Sequence, residues 1–184
     1  PAGELVGLLS HANRWFRRQA ALEIGWRHLD EVAPSLREAA GGNHPHALDA
    51  LFALDLLGKV EPGFLEELLR HSDPYVRRWA VKIAGEKWET YASCAPALAK
   101  LAREEAHLEV RAQILASGKR LPAAAGLDLL EAGLRPVPSG ETHVPLLAWW
   151  LLESKVAGDL PAVVSFLVRE RQLLESPFFE VHLS

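Results

Sequence analysis

The sequence lacks methionine and has only one cysteine, Cys94. A single cysteine cannot form an internal disulfide, and a structural zinc or iron–sulfur site would need further thiolate ligands. No apolar run approaches the roughly 20 residues that a membrane-spanning helix needs. These absences exclude a disulfide-stapled scaffold and a thiolate-rich metal site within the 184 residues.

An excess of positive charge is also missing, since 20 Lys and Arg face 24 Asp and Glu, for a net charge of −4 and a pI near 6.1. This balance argues against a strongly basic nucleic-acid surface, although a local basic stripe is compatible with it. Gly-x-Ser-x-Gly, P-loop, dinucleotide-binding and His-Glu-x-x-His motifs are absent. We therefore predict a protein that is not an enzyme and that needs no cofactor or metal.

Leu and Ala are abundant and β-branched residues are sparse, which favours helix. The stretch from His71 to Gly85 predicts a turn followed by a helix, because Asp73 can cap a helix that Pro74 begins. Gly85 is a candidate helix stop. The residues at i, i+3, i+4 and i+7 would share one buried face: Val76, Trp79, Ala80 and Ile83.

The same pattern occurs 60 residues earlier, where Phe16 corresponds to Val76, Arg17-Arg18 to Arg77-Arg78 and Gly25 to Gly85. A third copy fits between the two, with its second helix ending at Gly58, so the period is about 30 residues. Helix pairs at a fixed period are typical of solenoids. We predict an all-α fold: an α-α superhelix of about five to six antiparallel helix pairs, similar to HEAT and armadillo arrays.

The Asp-Pro-x-Val-Arg run at 73–77 resembles the turn and helix start of HEAT repeats. Further stretches are similar, in order, to the HEAT-repeat region of large bacterial multidomain proteins: Leu8–Arg17, Ala50–Gly58, Val110–Gln113, Lys119–Ala123 and His143–Trp150. In that family the region follows a sorbosone-dehydrogenase-like β-propeller, known as a membrane-bound dehydrogenase domain, and precedes a c-type cytochrome domain.

The resemblance covers roughly Leu5 to Val156 and implies a spacer or docking module between catalytic parts. It also implies export to the periplasm or the cell exterior, whereas without it the default compartment is cytoplasmic. The chain has no Cys-x-x-Cys-His, so any haem would be attached elsewhere in such a parent. Because the chain has no methionine and starts at Pro1, we expect residues 1–184 to be a single HEAT-like domain cut from a longer protein.

Arginines recur at one repeat position, as Arg17, Arg77 and Arg111. In one interpretation each arginine ties to a carbonyl or carboxylate of a turn, for which Asp73 is a plausible partner. In the other, the arginines form a basic line that binds phosphates or acidic peptides.

Four residues are candidates for partner binding: Trp15, Arg18, Arg78 and Lys82. Arginine and aromatic side chains together are typical of interface hot spots. Trp79 is interpreted as core, with truncation costing about 3–5 kcal/mol. One residue of Trp149-Trp150 is expected to be buried and the other to be more exposed.

Histidines beside turns are expected to hydrogen-bond there, as His11, His71 and His107. His44-x-His46 offers only half of a metal site. Cys94 is expected to be a small buried apolar residue. The acidic pairs Glu66-Glu67 and Glu104-Glu105 are assigned to solvated helix faces.

The leading hypothesis is a non-catalytic protein-interaction or scaffolding module, because solenoids present a long surface lined by the second helix of each pair. Its partner would be another protein or a neighbouring domain of the same chain. Two alternatives remain: binding of nucleic acid or phosphate through arginines on the second helices, and an accessory enzyme of the bilin-lyase HEAT type. The second alternative has no reactive group assigned to it.

Overall fold

The computed structural model describes residues 1–170, and this part of the chain is built from helices joined by turns and loops, without a strand. The all-α prediction is confirmed. The chain divides into two compact units, Pro1–Ile83 and Ala84–Ser184. Within residues 1–170, every helix is too short or too polar to cross a bilayer.

The first unit contains three helix pairs joined by short turns. The helices are α1 Ala2–Leu8, α2 Arg14–Trp26, α3 Ala33–Gly41, α4 Ala47–Leu56, α5 Pro62–Leu68 and α6 Pro74–Glu86, whose last three residues fall in the second unit. A short 3-10 helix, Asp30–Val32, precedes α3. Helix α1 packs against α2, α3 packs against α4, and the second helices α2 and α4 pack against each other.

The second unit continues with helices of 4 to 14 residues: α7 Trp88–Tyr91, α8 Ala95–Glu104, α9 Leu108–Gly118, α10 Ala123–Asp128, α11 Glu131–Leu134, α12 His143–Val156 and α13 Leu160–Arg169. Helix α9 packs against α12, and α11 contacts both. Residues 123–134 form two short helices rather than one, because tight turns at Leu129 and Leu130 divide the segment. The second helix of a sixth pair would lie after Glu170, outside the described residues.

The predicted core face of α6 is confirmed in three of its four positions. Val76, Ala80 and Ile83 are buried, whereas Trp79 remains half-buried. Leucines and isoleucines of the other helices complete the interior of the first unit: Ile24, Leu36, Leu51, Leu54, Leu65 and Leu68. Burying each such side chain stabilises the fold by about 1.5–3 kcal/mol, so the apolar stripes hold the helix pairs together.

Two turns 60 residues apart have the same hydrogen bonds. The amide of Asn13 donates to His11 Nδ1 at 3.0 Å, and the Asn13 side chain caps α2 by accepting from the backbone N–H of Trp15 at 2.9 Å. The later turn has the same two bonds. The backbone N–H of Asp73 donates to His71 Nδ1 at 3.0 Å, and the Asp73 carboxylate accepts from the backbone N–H of Tyr75 at 2.8 Å. The predicted caps, and the predicted turn hydrogen bonds of the two histidines, are confirmed.

An arginine closes each of these turns. Arg17 donates through Nη1 to the carbonyls of His11 and Ala12 at 3.0 and 3.2 Å. Arg77 donates in the same way to the carbonyls of His71 and Ser72 at 2.7 and 3.0 Å. The interpretation of these arginines as turn ties is therefore supported by their geometry.

Arg111, the third arginine of the series, is buried and uses other carbonyls. It donates to the carbonyl oxygens of Ala132, Arg135 and Pro136 at 2.7, 2.7 and 3.1 Å. Burial lowers the pKa of the Arg111 guanidinium from its ordinary value, and the charge of Arg135 lowers it further. Arg111 thus ties α9 to the segment that follows α11.

Glu105 corrects one expectation, because this carboxylate is buried rather than on a solvated face. It lies just after the last residue of α8, and its Oε1 accepts from the backbone N–H of His107 at 2.8 Å. The Glu105 carbonyl also accepts from Arg135 Nη1 at 2.8 Å. Glu104 is the last residue of α8, so Glu105 does not lie on a face of this helix.

Gly58 ends its helix as predicted, whereas Gly25 and Gly85 play a different part. Gly58 follows α4 with φ of +68°, a left-handed conformation that suits a glycine stop. Gly25 and Gly85 instead lie inside their helices. A Cβ at Gly25 would be 2.7 Å from Leu56 Cβ, and one at Gly85 would be 2.6 Å from Ser117 Cβ. These glycines let successive second helices approach closely.

Gly25→Ala tests this close approach. The added methyl group would meet a Cβ that cannot rotate away, so we expect a loss of about 1–3 kcal/mol in the free energy of unfolding. Gly63→Ala is the matched control, because nothing lies within 4 Å of its added Cβ in α5. The control should gain about 0.4–1 kcal/mol. Urea unfolding of both variants measures the difference, and equal effects would contradict the packing role.

Candidate partner-binding groove

The second helices of the first unit expose an apolar groove with a volume of about 340 Å³. Helical spacing places Trp15, Arg18, Leu22 and Trp26 on one face of α2, since they lie three, seven and eleven residues from the first. The groove is lined by α2, α4 and Trp79 of α6: Arg14, Arg18, Ala21, Leu22, Asp49, Phe52, Asp55, Leu56 and Trp79. This surface is hereafter the second-helix groove.

Aromatic rings form one wall of the second-helix groove. The rings of Phe52 and Trp79 meet edge to face, with centroids 4.3 Å apart and an interplanar angle of 73°. Lys82 Nζ lies 4.4 Å from the centroid of the Trp79 ring, within the range of a cation–π contact. Trp79 Nε1 is buried and has no hydrogen-bond acceptor among the described residues.

The charged rim of the groove is uneven. Asp49 Oδ2 accepts from Arg17 Nε at 3.1 Å, so this carboxylate is already paired. Arg14 and Arg18 are exposed and make no ion pair or hydrogen bond within residues 1–170. The groove therefore combines an apolar floor with two exposed arginines.

The four predicted partner-binding residues take different places. Arg18 lines the groove, and Lys82 reaches it by lying on the Trp79 ring. Trp15 is 62% exposed and lies on the same helix face as Arg18. Its ring meets that of Phe16 edge to face, with ring centroids 5.0 Å apart. Arg78 is exposed on α6 and is engaged in an interaction within the protein. Their part in binding stays a prediction.

Sequence reasoning missed most of the groove lining. Leu22, Phe52 and Leu56 were not singled out, and neither was Arg14. The spacing of Leu22 and Trp26 from Trp15 is a signal that could have identified the α2 face. The pairing of that face with α4 depends on the close approach at Gly25, which a single helical pattern does not show.

Three other features singled out in the sequence are Cys94, the His44-x-His46 pair and the adjacent tryptophans. Cys94 is buried, as predicted. Nδ1 of His44 lies 3.3 Å from the backbone N of His46, and the part of the chain that the structure describes holds no cluster of three or more metal-binding side chains. Trp150 is exposed and Trp149 is half-buried, so the two differ in exposure as expected, but neither of them is buried.

The class of protein that these observations define is an all-helical protein of packed helix pairs. Comparison of the chain with protein-family models, curated proteins and solved structures found no match. The resemblance to HEAT repeats therefore stays a prediction, and the function of the groove has to be argued from its own geometry.

Glutamine substitutions at the neighbouring residues Arg17 and Arg18 test which of the two arginines stabilises the fold. Arg17→Gln removes two hydrogen bonds to turn carbonyls and leaves Asp49 unpaired, so we expect a loss of about 1–3 kcal/mol in the free energy of unfolding. Arg18→Gln should change it by less than about 0.5 kcal/mol, because Arg18 is exposed. Chemical denaturation distinguishes the two, and a large loss for Arg18→Gln would place it in the structural framework.

Proposed function

We propose that the chain is a non-catalytic protein-interaction or scaffolding module that binds its partner in the second-helix groove. The observation that carries this proposal is the groove itself, with an apolar floor and arginines at its rim. A pocket of roughly 300 Å³ or more, lined mainly by apolar groups with a few polar ones, is typical of binding sites. The groove is large enough for one or two side chains of a partner.

Exposed apolar side chains extend this surface beyond the groove. Trp26 is 65% exposed and Leu56 is 48% exposed, and both lie on second helices. Large apolar groups in contact with water favour association, because covering them gains about 25 cal/mol per Å². Tryptophan and arginine are also the residues that most often dominate binding energy.

We further propose that the helix pairs are HEAT-like repeats of a solenoid. Support comes from the identical turn hydrogen bonds at Asn13 and Asp73 and from the close approaches at Gly25 and Gly85. In such arrays the second helices line the binding surface. The resemblance to multidomain redox proteins adds the proposal that the module links domains of a larger exported protein.

Nucleic-acid or phosphate binding is the second candidate, and the unpaired Arg14 and Arg18 are the observation that favours it. Two carboxylates of the same groove, Asp49 and Asp55, would repel a phosphate backbone. Binding to duplex DNA is dominated by counterion release and is strongest at low salt. Absence of binding to a random DNA duplex at low salt would eliminate this candidate.

Selection from a random peptide library tests the leading proposal. We expect the chain to enrich peptides whose affinity falls roughly tenfold or more in Leu22→Asp/Leu56→Asp, because a carboxylate would be placed on the apolar floor. The control is Val164→Asp, a matched change at an exposed apolar position of α13, which should leave the affinity unchanged. Fluorescence polarisation measures affinity, and circular dichroism verifies folding.

Two results would overturn the proposal. One is the failure of any peptide to be enriched. The other is enrichment of peptides that bind the groove variant and the unmodified chain equally well, since the binding surface would then lie elsewhere.

A further inference from the structure

We infer that the occupant of the second-helix groove is an acidic peptide segment, in which a carboxylate lies next to a large apolar side chain. This inference rests on the proposed function and adds the chemistry of the partner. Its basis is the mismatch between the charges on the groove rim and the partners that the protein supplies for them.

Both carboxylates of the groove already interact within the protein. Asp49 is paired with Arg17 at 3.1 Å, and Asp55 is engaged in an interaction of its own. Arg14 and Arg18 have no such partner among the described residues. The charge that remains for an occupant is therefore positive, although the chain as a whole carries a net charge of −4.

These two arginines are placed where they disfavour the helix. Arg14 is the first residue of α2, and the first turn of this helix contains no acidic residue. Cations at a helix N-terminus oppose the helix dipole, and like charges four residues apart repel each other. Arg17 offsets this by closing the turn, whereas Arg14 and Arg18 have no structural contact that does so. A bound carboxylate between them would remove both unfavourable effects.

The floor of the groove requires an apolar group beside that carboxylate. Leu22, Phe52, Leu56 and Trp79 line the space next to the arginines. A peptide supplies both groups at once: a carboxylate for the arginines and an apolar side chain for the floor.

The charge pattern favours a peptide over a nucleic acid. A nucleic acid carries a regular row of phosphates and would meet Asp49 and Asp55 as well as the two arginines. A single carboxylate needs only Arg14 and Arg18 as its partners. The groove volume of about 340 Å³ also suits one anchoring side chain better than a duplex.

Three pools of short random peptides test the inference. All pools have the same apolar content, and their polar positions carry Asp and Glu, Asn and Gln, or Lys and Arg. We expect the acidic pool to bind roughly tenfold more tightly than the neutral pool, a difference of about 1.4 kcal/mol. The preference should shrink as salt rises, because exposed charge pairs are screened.

Arg14→Gln/Arg18→Gln should abolish the preference, so that the acidic and neutral pools bind this variant with equal affinity. The matched control is Arg70→Gln, which removes a charge from an exposed arginine outside the groove. This control should retain the preference. Fluorescence polarisation of labelled pools at low and high salt provides the measurement.

The outcomes separate the two proposals. If the neutral or basic pool binds the groove as tightly as the acidic pool, the inference is overturned and the interaction surface stands. If no pool binds, or if every pool that binds does so equally well to the Leu22→Asp/Leu56→Asp variant, both proposals fail. Groove-dependent binding of duplex DNA, or self-association that Arg14→Gln/Arg18→Gln abolishes, would also overturn the inference.

Discussion

The hydrogen bonds from an arginine side chain to two turn carbonyls are the interaction on which the first unit depends. Arg17 and Arg77 each reach back from the first turn of a second helix and close the turn before it. Hydrogen bonds from a charged donor are stronger than neutral ones and hold the carbonyls where backbone partners are missing. These bonds hold the turns before α2 and α6, and the apolar stripes of the helices then pack together.

The same interaction explains why the adjacent arginine is available. Neighbouring positions on a helix differ by about 100° in direction, so Arg17 and Arg18 cannot perform the same task. Arg17 points to the turn and to Asp49, while Arg18 lies on the rim of the groove. Within the Arg-Arg pair, Arg17 thus stabilises the fold, whereas Arg18 is left for the partner that we propose.

Features set by nearby residues could be predicted from the sequence, and features set by distant packing could not. The caps at Asn13 and Asp73 and the buried face of α6 depend on spacing within a few residues, and the structure confirms them. The packing role of Gly25 was missed because it depends on Leu56, about thirty residues away. Trp79 was placed in the core, yet it lines a groove because Phe52 covers only part of its ring. Near Glu105, likewise, the backbone carbonyl bonds to Arg135, which follows α11 and lies 30 residues away.

Hydrogen–deuterium exchange with a selected peptide bound tests most directly whether the second helices carry the partner. The account predicts slower exchange of backbone amides in α2 and α4, with no change in the first helices α1 and α3, because only the second helices line the groove. Protection confined to α1 and α3, or to α8 to α13 alone, would contradict it and place the binding surface elsewhere on the protein.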